Sequence, residues 1–135
     1  MIAIIDYGMG NLASVYKAVR YTGNDAVITA DPDVIERSEM IILPGVGAMA
    51  VAVDNLEKLG ISELLKDVLE DGKPFLGICL GYQMLFESSE EGMGLSGSRP
   101  KGLGILHGKV LGFTEMPQIK VPDMGWNKLS VRHSR

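Results

Sequence analysis

Hydrophobic positions along this chain fall into two alternating patterns. Short, mostly apolar runs at Ile2–Ile5, Ala26–Thr29, Met40–Leu43 and Lys73–Ile78 read as strands, the all-apolar Ile2–Ile5 as one buried on both faces. Between them, apolar residues recur three or four apart, the period of an amphipathic helix. The first such stretch, 12–22, places Leu12, Val15, Ala18 and Val19 on one face. Asn11 is positioned to cap it, and Gly23-Asn24 to stop it. Asp31-Pro32-Asp33 opens a short helix. Ala48–Lys58 and Ser62–Glu70 predict two more, broken at Gly60, and Leu80–Ser88 a last one. Ser88–Gly104, rich in Gly, Ser and Glu, reads as a surface loop. Lys109–Phe113 and Trp126–Val131 predict strands of an antiparallel edge or hairpin, with no helix after residue 104. Strands alternating with helices predict an α/β fold, a doubly wound and mostly parallel sheet in one domain.

Composition narrows what such a domain can do. The chain has 135 residues, a net charge of -4 and no basic cluster, which argues against a nucleic-acid surface. A single cysteine excludes an internal disulfide and metal sites built on several thiols, and fits a reducing cytoplasm. Met1–Asp6 lacks the basic start of a signal peptide, and no window approaches a membrane span. Neither a metal nor a cofactor is expected. The eight methionines suit gap-filling in a core.

The candidate chemistry begins at Cys79. In Gly77-Ile78-Cys79-Leu80-Gly81 an apolar run enters a turn with glycines two positions before and after the cysteine, and a helical pattern follows. That is the layout of a nucleophile elbow, in which a Cβ at either glycine collides across the turn. The following helix would turn its first N–H groups toward the sulfur and favour the thiolate. The competing reading is an inert buried thiol. Pro44-Gly45-Val46-Gly47, at the end of the strand before, can aim backbone N–H groups at developing negative charge, or be an ordinary turn. Gly8-Met9-Gly10-Asn11-Leu12-Ala13, with Asp31 further on, also matches a dinucleotide-binding fingerprint. Glu87, Glu90 and Glu91 read as a solvated face, His107 as a strand or turn histidine, and His133 lies in a terminus.

Four segments together resemble one family. The elbow Gly77–Gln83 resembles the nucleophile motif of class I glutamine amidotransferases. Asp6-Tyr7-Gly8-Met9-Gly10-Asn11, Leu43–Gly47 and Met124-Gly125-Trp126-Asn127 are similar, within that class, to the glutaminase subunits of imidazole glycerol phosphate synthases. The resemblance implies a flavodoxin-like sheet and a Cys-His-Glu triad that hydrolyses glutamine. It implies ammonia delivery to a partner cyclase subunit, a (β/α)8 barrel, in a heterodimer of histidine biosynthesis. Cys79 would form the γ-glutamyl thioester. Gln83 would hold the substrate, and Gly45, Val46, Gly47 and Leu80 would supply oxyanion contacts, with a peptide rearrangement triggered from the partner. Asn11, Gly125, Trp126 and Asn127 would lie near the partner.

Two departures from that pattern are visible. No Phe-His-Pro-Glu-like segment, the family's source of the catalytic His and Glu, occurs here, so a domain incomplete at its C-terminus is expected. Asp123 stands where the family usually has a histidine before Met-Gly-Trp-Asn. Loss of a general acid/base costs about 10²–10⁴-fold, so residues 1–135 alone should be a poor glutaminase with an exposed sheet edge. A non-catalytic subunit that docks on the cyclase, and a dinucleotide-binding domain, are the alternative readings.

Overall fold

The computed structural model describes residues 1–91, 99–113 and 125–130. Val121, Pro122, Asp123, Met124, Val131 and His133 lie outside the described residues. Ordered along the chain are β1 (Ile2–Ile5), α1 (Leu12–Tyr21), β2 (Ala26–Thr29), α2 (Pro32–Arg37), β3 (Met40–Gly45), α3 (Met49–Lys58), α4 (Ile61–Glu70), β4 (Phe75–Cys79), α5 (Leu80–Gln83), β5 (Phe86–Ser89) and β6 (Leu106–Val110). The first four strands form one parallel sheet in the order β2-β1-β3-β4. This is the doubly wound α/β sheet that the strand–helix alternation predicts.

Alternate residues of each strand face opposite sides of the sheet, and each side has its own core. Ala3, Ile5, Ile41 and Leu43 pack with Ile35 of α2, Ala52 and Leu56 of α3, and Ile61 and Leu65 of α4. Ile4 and Ile42 pack on the other side against Val19 of α1, with Leu12 and Val15 beside them. Ala18, expected on that face, is exposed. Local signals set the boundaries. Asn11 Oδ1 accepts the Ser14 N–H at the start of α1. Pro32 sits in the first turn of α2 behind the Asp31 cap. Gly60, at φ +69, separates α3 from α4.

β4 is one of the two outer strands of this sheet, and its side chains on the α1 face are exposed. Ile42 pairs with Leu76, yet Leu76 is 45% exposed and Ile78 37%. α1 covers the centre of that face and not its β4 edge. Among the described residues, no helix is long and apolar enough to cross a membrane.

Three expectations are corrected. The helix predicted over Leu80–Ser88 ends at Gln83, and Phe86–Ser89 is a strand. The cause is tertiary: residues 102–106 return along this segment and take its carbonyls. Leu103 N–H donates to Met84, Leu106 N–H to Leu85, Gly104 N–H to Phe86 and Gly102 N–H to Glu87. Those acceptors are therefore unavailable to a continuing helix. Second, β6 spans Leu106–Val110 and runs parallel to β5, not as an antiparallel hairpin. The intervening segment is long enough for a parallel return, and Leu103 within it is buried. Within the loop expected at Ser88–Gly104, Lys101 also bridges Ser88. Third, residues 126–130 of the predicted Trp126–Val131 strand carry no strand pairing.

The contrast between the two rows of the sheet is measurable. Ile42→Ala, in a packed core, should cost about 2–5 kcal/mol, whereas Leu76→Ala at the bare margin should cost under about 1.5 kcal/mol. Urea denaturation of both variants checks this, and equal losses would contradict the uncovered margin.

Candidate active site

The parallel sheet brings the C-terminal ends of β1, β3 and β4 to one edge, where open α/β sheets place their sites. The elbow is built at the end of β4. Cys79 has φ 54° and ψ -118°, the one positive φ outside glycine among the described residues. Such a conformation costs on the order of 1–3 kcal/mol and persists only where the surroundings enforce it. Here α5 starts at the very next residue, and Leu80 is buried as its anchor. The flanking glycines allow the approach. A Cβ on Gly77 would stand 2.6 Å from the Tyr82 Cα, and one on Gly81 1.8 Å from the Leu43 carbonyl oxygen. The turn therefore holds Cys79 out to solvent, and the thiol is exposed. The inert buried thiol is the reading this corrects. Gln83 lies half-buried at the end of the same turn. Because α5 is only four residues long, the dipole expected of a full helix reduces to the first-turn amides.

Pro44–Gly47 stands directly beside the elbow. Gly45 ends β3 and is the register partner of Cys79. A Cβ on Gly45 would meet the Gly81 nitrogen at 2.7 Å and the Tyr7 hydroxyl at 2.7 Å. Val46 and Gly47 follow in the open, and Gly47 adopts φ +93°. A loop of small residues next to a strained thiol is placed to offer N–H donors to an oxyanion.

The loop after β1 packs onto both. Asp6 Oδ1 accepts the Gly8 N–H at 3.1 Å, which turns the chain. Gly10, at φ +107°, would bring a Cβ within 3.3 Å of the Pro44 Cβ. Tyr7 is 2% exposed, and its hydroxyl donates to the Pro44 carbonyl at 2.9 Å. Asn55 Nδ2 of α3 donates to the Tyr7 carbonyl at 3.1 Å. Burial, and then the nearby Cys79 charge, push the Tyr7 phenol up from 10.0 to about 12. These contacts account for the fingerprint-like glycines without a dinucleotide. Asp31, its acidic residue, spends its carboxylate on the Asp33 N–H at 2.9 Å as the cap of α2.

Tyr7 and Asn55 escaped the sequence reading. The signals available were an aromatic hydroxyl at a strand end and a polar residue between Ala52 and Leu56 on the inner side of α3. Gly125, Trp126 and Asn127 are exposed, as is Asn11. His107 has a carboxylate neighbour in space: its Nδ1 lies 3.3 Å from Glu87 Oε1. The Gly108 N–H bonded to the other oxygen, and then His107, draw the Glu87 carboxyl below its ordinary value. A groove of about 400 Å³ lined by Glu36, Glu39, Asp67, Asp71 and Lys73 lies at the opposite strand ends. There Lys73 Nζ donates to the Glu36 and Ser38 carbonyls and ties α2 to β4.

The glycine geometry predicts sharp asymmetry among glycine variants. Gly81→Ala forces a methyl into a backbone carbonyl and should cost more than about 3 kcal/mol or abolish folding. Gly112→Ala, with nothing within 4 Å among the described residues, should change stability by under about 0.5 kcal/mol. Denaturant titration of the two variants distinguishes them. Alkaline titration gives a second check. The raised phenol means folding favours protonated Tyr7, a contribution complete below pH 10 and lost as pH rises through about 12. Ultraviolet difference spectra should show a tyrosinate step near pH 12 that Tyr7→Phe removes.

Comparison with known proteins identifies the family. Residues 7–120 match the CobB/CobQ-like glutamine amidotransferase domain. The Nostoc punctiforme imidazole glycerol phosphate synthase subunit HisH is 47% identical over 135 residues, covering 100% of this chain and 61% of the relative. The Caldanaerobacter subterraneus protein of the same name is 51% identical over 132 residues, 98% of this chain and 62% of the relative. The chain thus spans about three fifths of the length of these curated relatives. A solved structure titled as a glutamine amidotransferase superposes with a TM-score of 0.63 at 20% identity, over 78% of this chain and 53% of that one, which bears on the fold alone. The elbow, the glycine loop beside it and the family match converge: the chain belongs to the glutamine amidotransferases, with a domain of the CobB/CobQ-like type.

Proposed function

We propose that this chain carries the nucleophile of the glutaminase subunit of imidazole glycerol phosphate synthase. The observation that carries the reading is the register of Gly45 with Cys79, which sets a glycine loop beside a strained, exposed thiol. Relatives bearing that subunit's name match essentially the whole chain at about half identity, 47% and 51% in two cases.

In this reading the Cys79 thiolate attacks the carboxamide carbon of glutamine. The carbonyl oxygen becomes an oxyanion held by N–H groups of the Gly45-Val46-Gly47 loop and of Leu80. Collapse of the tetrahedral intermediate breaks the C–N bond, and ammonia leaves with a proton from a general acid. Water then attacks the γ-glutamyl thioester, releasing glutamate and the thiol. Gln83, one turn beyond the nucleophile, contacts the substrate. The base and acid come from a His-Glu pair that residues 1–135 do not contain in the family's Phe-His-Pro-Glu form. Ammonia passes to a (β/α)8-barrel cyclase subunit in a cytoplasmic heterodimer, with Asn11, Gly125, Trp126 and Asn127 toward that partner.

The alternative reading is a subunit that docks on the barrel without turnover. A chloromethyl-ketone analogue of glutamine separates the two. The thiolate displaces chloride and adds the ketone to the protein mass. The expected result is one adduct on Cys79, prevented by excess glutamine and absent in Cys79→Ala. Glutamine turnover by the 135-residue chain should fall about 10²–10⁴-fold below that of a chain with the His-Glu pair. Cys79 left unmodified while the chain is bound to the barrel would overturn the glutaminase reading and favour the docking one.

A further inference from the structure

Tyr7 is a buried, titratable group that the thioester chemistry does not use, and it sits where the two halves of the site meet. β1 is in register with β3 only as far as Ile42, so the β3 backbone beyond it runs past that ladder. The Tyr7 hydroxyl reaches across this gap and donates to the Pro44 carbonyl at 2.9 Å. The same hydroxyl and the Gly81 amide nitrogen each lie 2.7 Å from the position a Gly45 Cβ would take. One oxygen atom therefore touches the last strand residue of the glycine loop beside the first turn of the elbow.

The backbone chemistry of Pro44 makes this contact consequential. Its ring holds φ near -65°, so ψ is its single soft angle. A hydrogen bond on its carbonyl sets ψ, and with it the plane of the Pro44–Gly45 peptide. Downstream, Gly45 and Gly47 lack side chains that would restrict rotation. With the hydroxyl in place, rotation is confined to the peptides after Gly45. Without it, the Pro44–Gly45 peptide is held by the register with β4 alone, Pro44 against Ile78 and Gly45 against Cys79. Asn55 holds Tyr7 from behind through its carbonyl, at 3.1 Å.

We propose that Tyr7 is a positioning residue for the Cys79 reaction, fixing the Pro44–Gly45 peptide so that the Gly45–Gly47 donors stay aimed at the substrate oxygen. The assignment rests on the glutaminase reading. Tyr7 touches neither substrate nor sulfur in this role, and acts through the loop.

The test is labelling kinetics of Cys79 in the 135-residue protein with two reagents: the glutamine chloromethyl ketone and iodoacetamide. Tyr7→Phe removes one oxygen and keeps the ring. The saturating rate with the chloromethyl ketone should fall about 10- to 100-fold, the loss expected of misplaced groups. Its half-saturating concentration and the iodoacetamide rate should stay within about twofold, since neither depends on the oxyanion donors. Pro44→Ala, which frees φ but keeps the carbonyl, serves where Tyr7→Phe does not fold, and should show the same split. In the double variant the two losses should not add, because both release the same peptide. Unchanged chloromethyl-ketone labelling, losses with both reagents that track thermal unfolding, or fully additive effects would each overturn the assignment. Wild-type protein that reacts with iodoacetamide but never saturably with the chloromethyl ketone would overturn the glutaminase reading as well.

Discussion

Everything at this site depends on how closely two backbones can approach. The first turn of α5 lies against the end of β3 so tightly that a single methyl group on Gly81 would fall inside the Leu43 carbonyl oxygen. Three glycines make the contact possible from both sides: Gly77 and Gly81 flank the cysteine, and Gly45 faces them across the ladder. Because the helix must begin at once, Cys79 is forced to positive φ, and because it is forced there, its side chain leaves the sheet and meets solvent. Close packing, in effect, creates the exposure.

The two cores explain why that strain can be held. The elbow is anchored through Leu80 and Met84 into the larger cluster, which joins three helices to β1 and β3. Individually these side chains contribute roughly 1.5–3 kcal/mol each on burial, more than one strained residue costs. On the opposite face α1 alone packs among the described residues, and Leu76 and Ile78 remain exposed. The strained side of the sheet is thus the well-supported one.

Much of this was legible in the residues. The mostly apolar runs marked all four strands of the main sheet, because a parallel strand carries apolar side chains on both faces and needs no polar alternation. Gly77 and Gly81 marked the elbow, since glycines have little other use at those positions. What escaped has a common origin in contacts between distant segments. Phe86–Ser89 continues a helical pattern locally, and only the return of residues 102–106 converts it to a strand. The parallel sense of β6 depends on the same return. Tyr7 gave no periodic signal, and its importance comes from Pro44, 37 residues away. Asn11 illustrates the opposite case, a cap readable from its own few neighbours.

The returning segment has a consequence for the order in which the molecule assembles. The carbonyls of Met84 and Leu85, just past the elbow, are satisfied by Leu103 and Leu106, residues that leave the ribosome well after Cys79. Until that long loop closes, these carbonyls can be taken by a continuing helix, and nothing obliges the chain to stop α5 after one turn. During synthesis the segment after Gln83 therefore passes through a period before its strand is set. The end of α5 is fixed late, by residues 102–106, and not at the moment the elbow itself emerges.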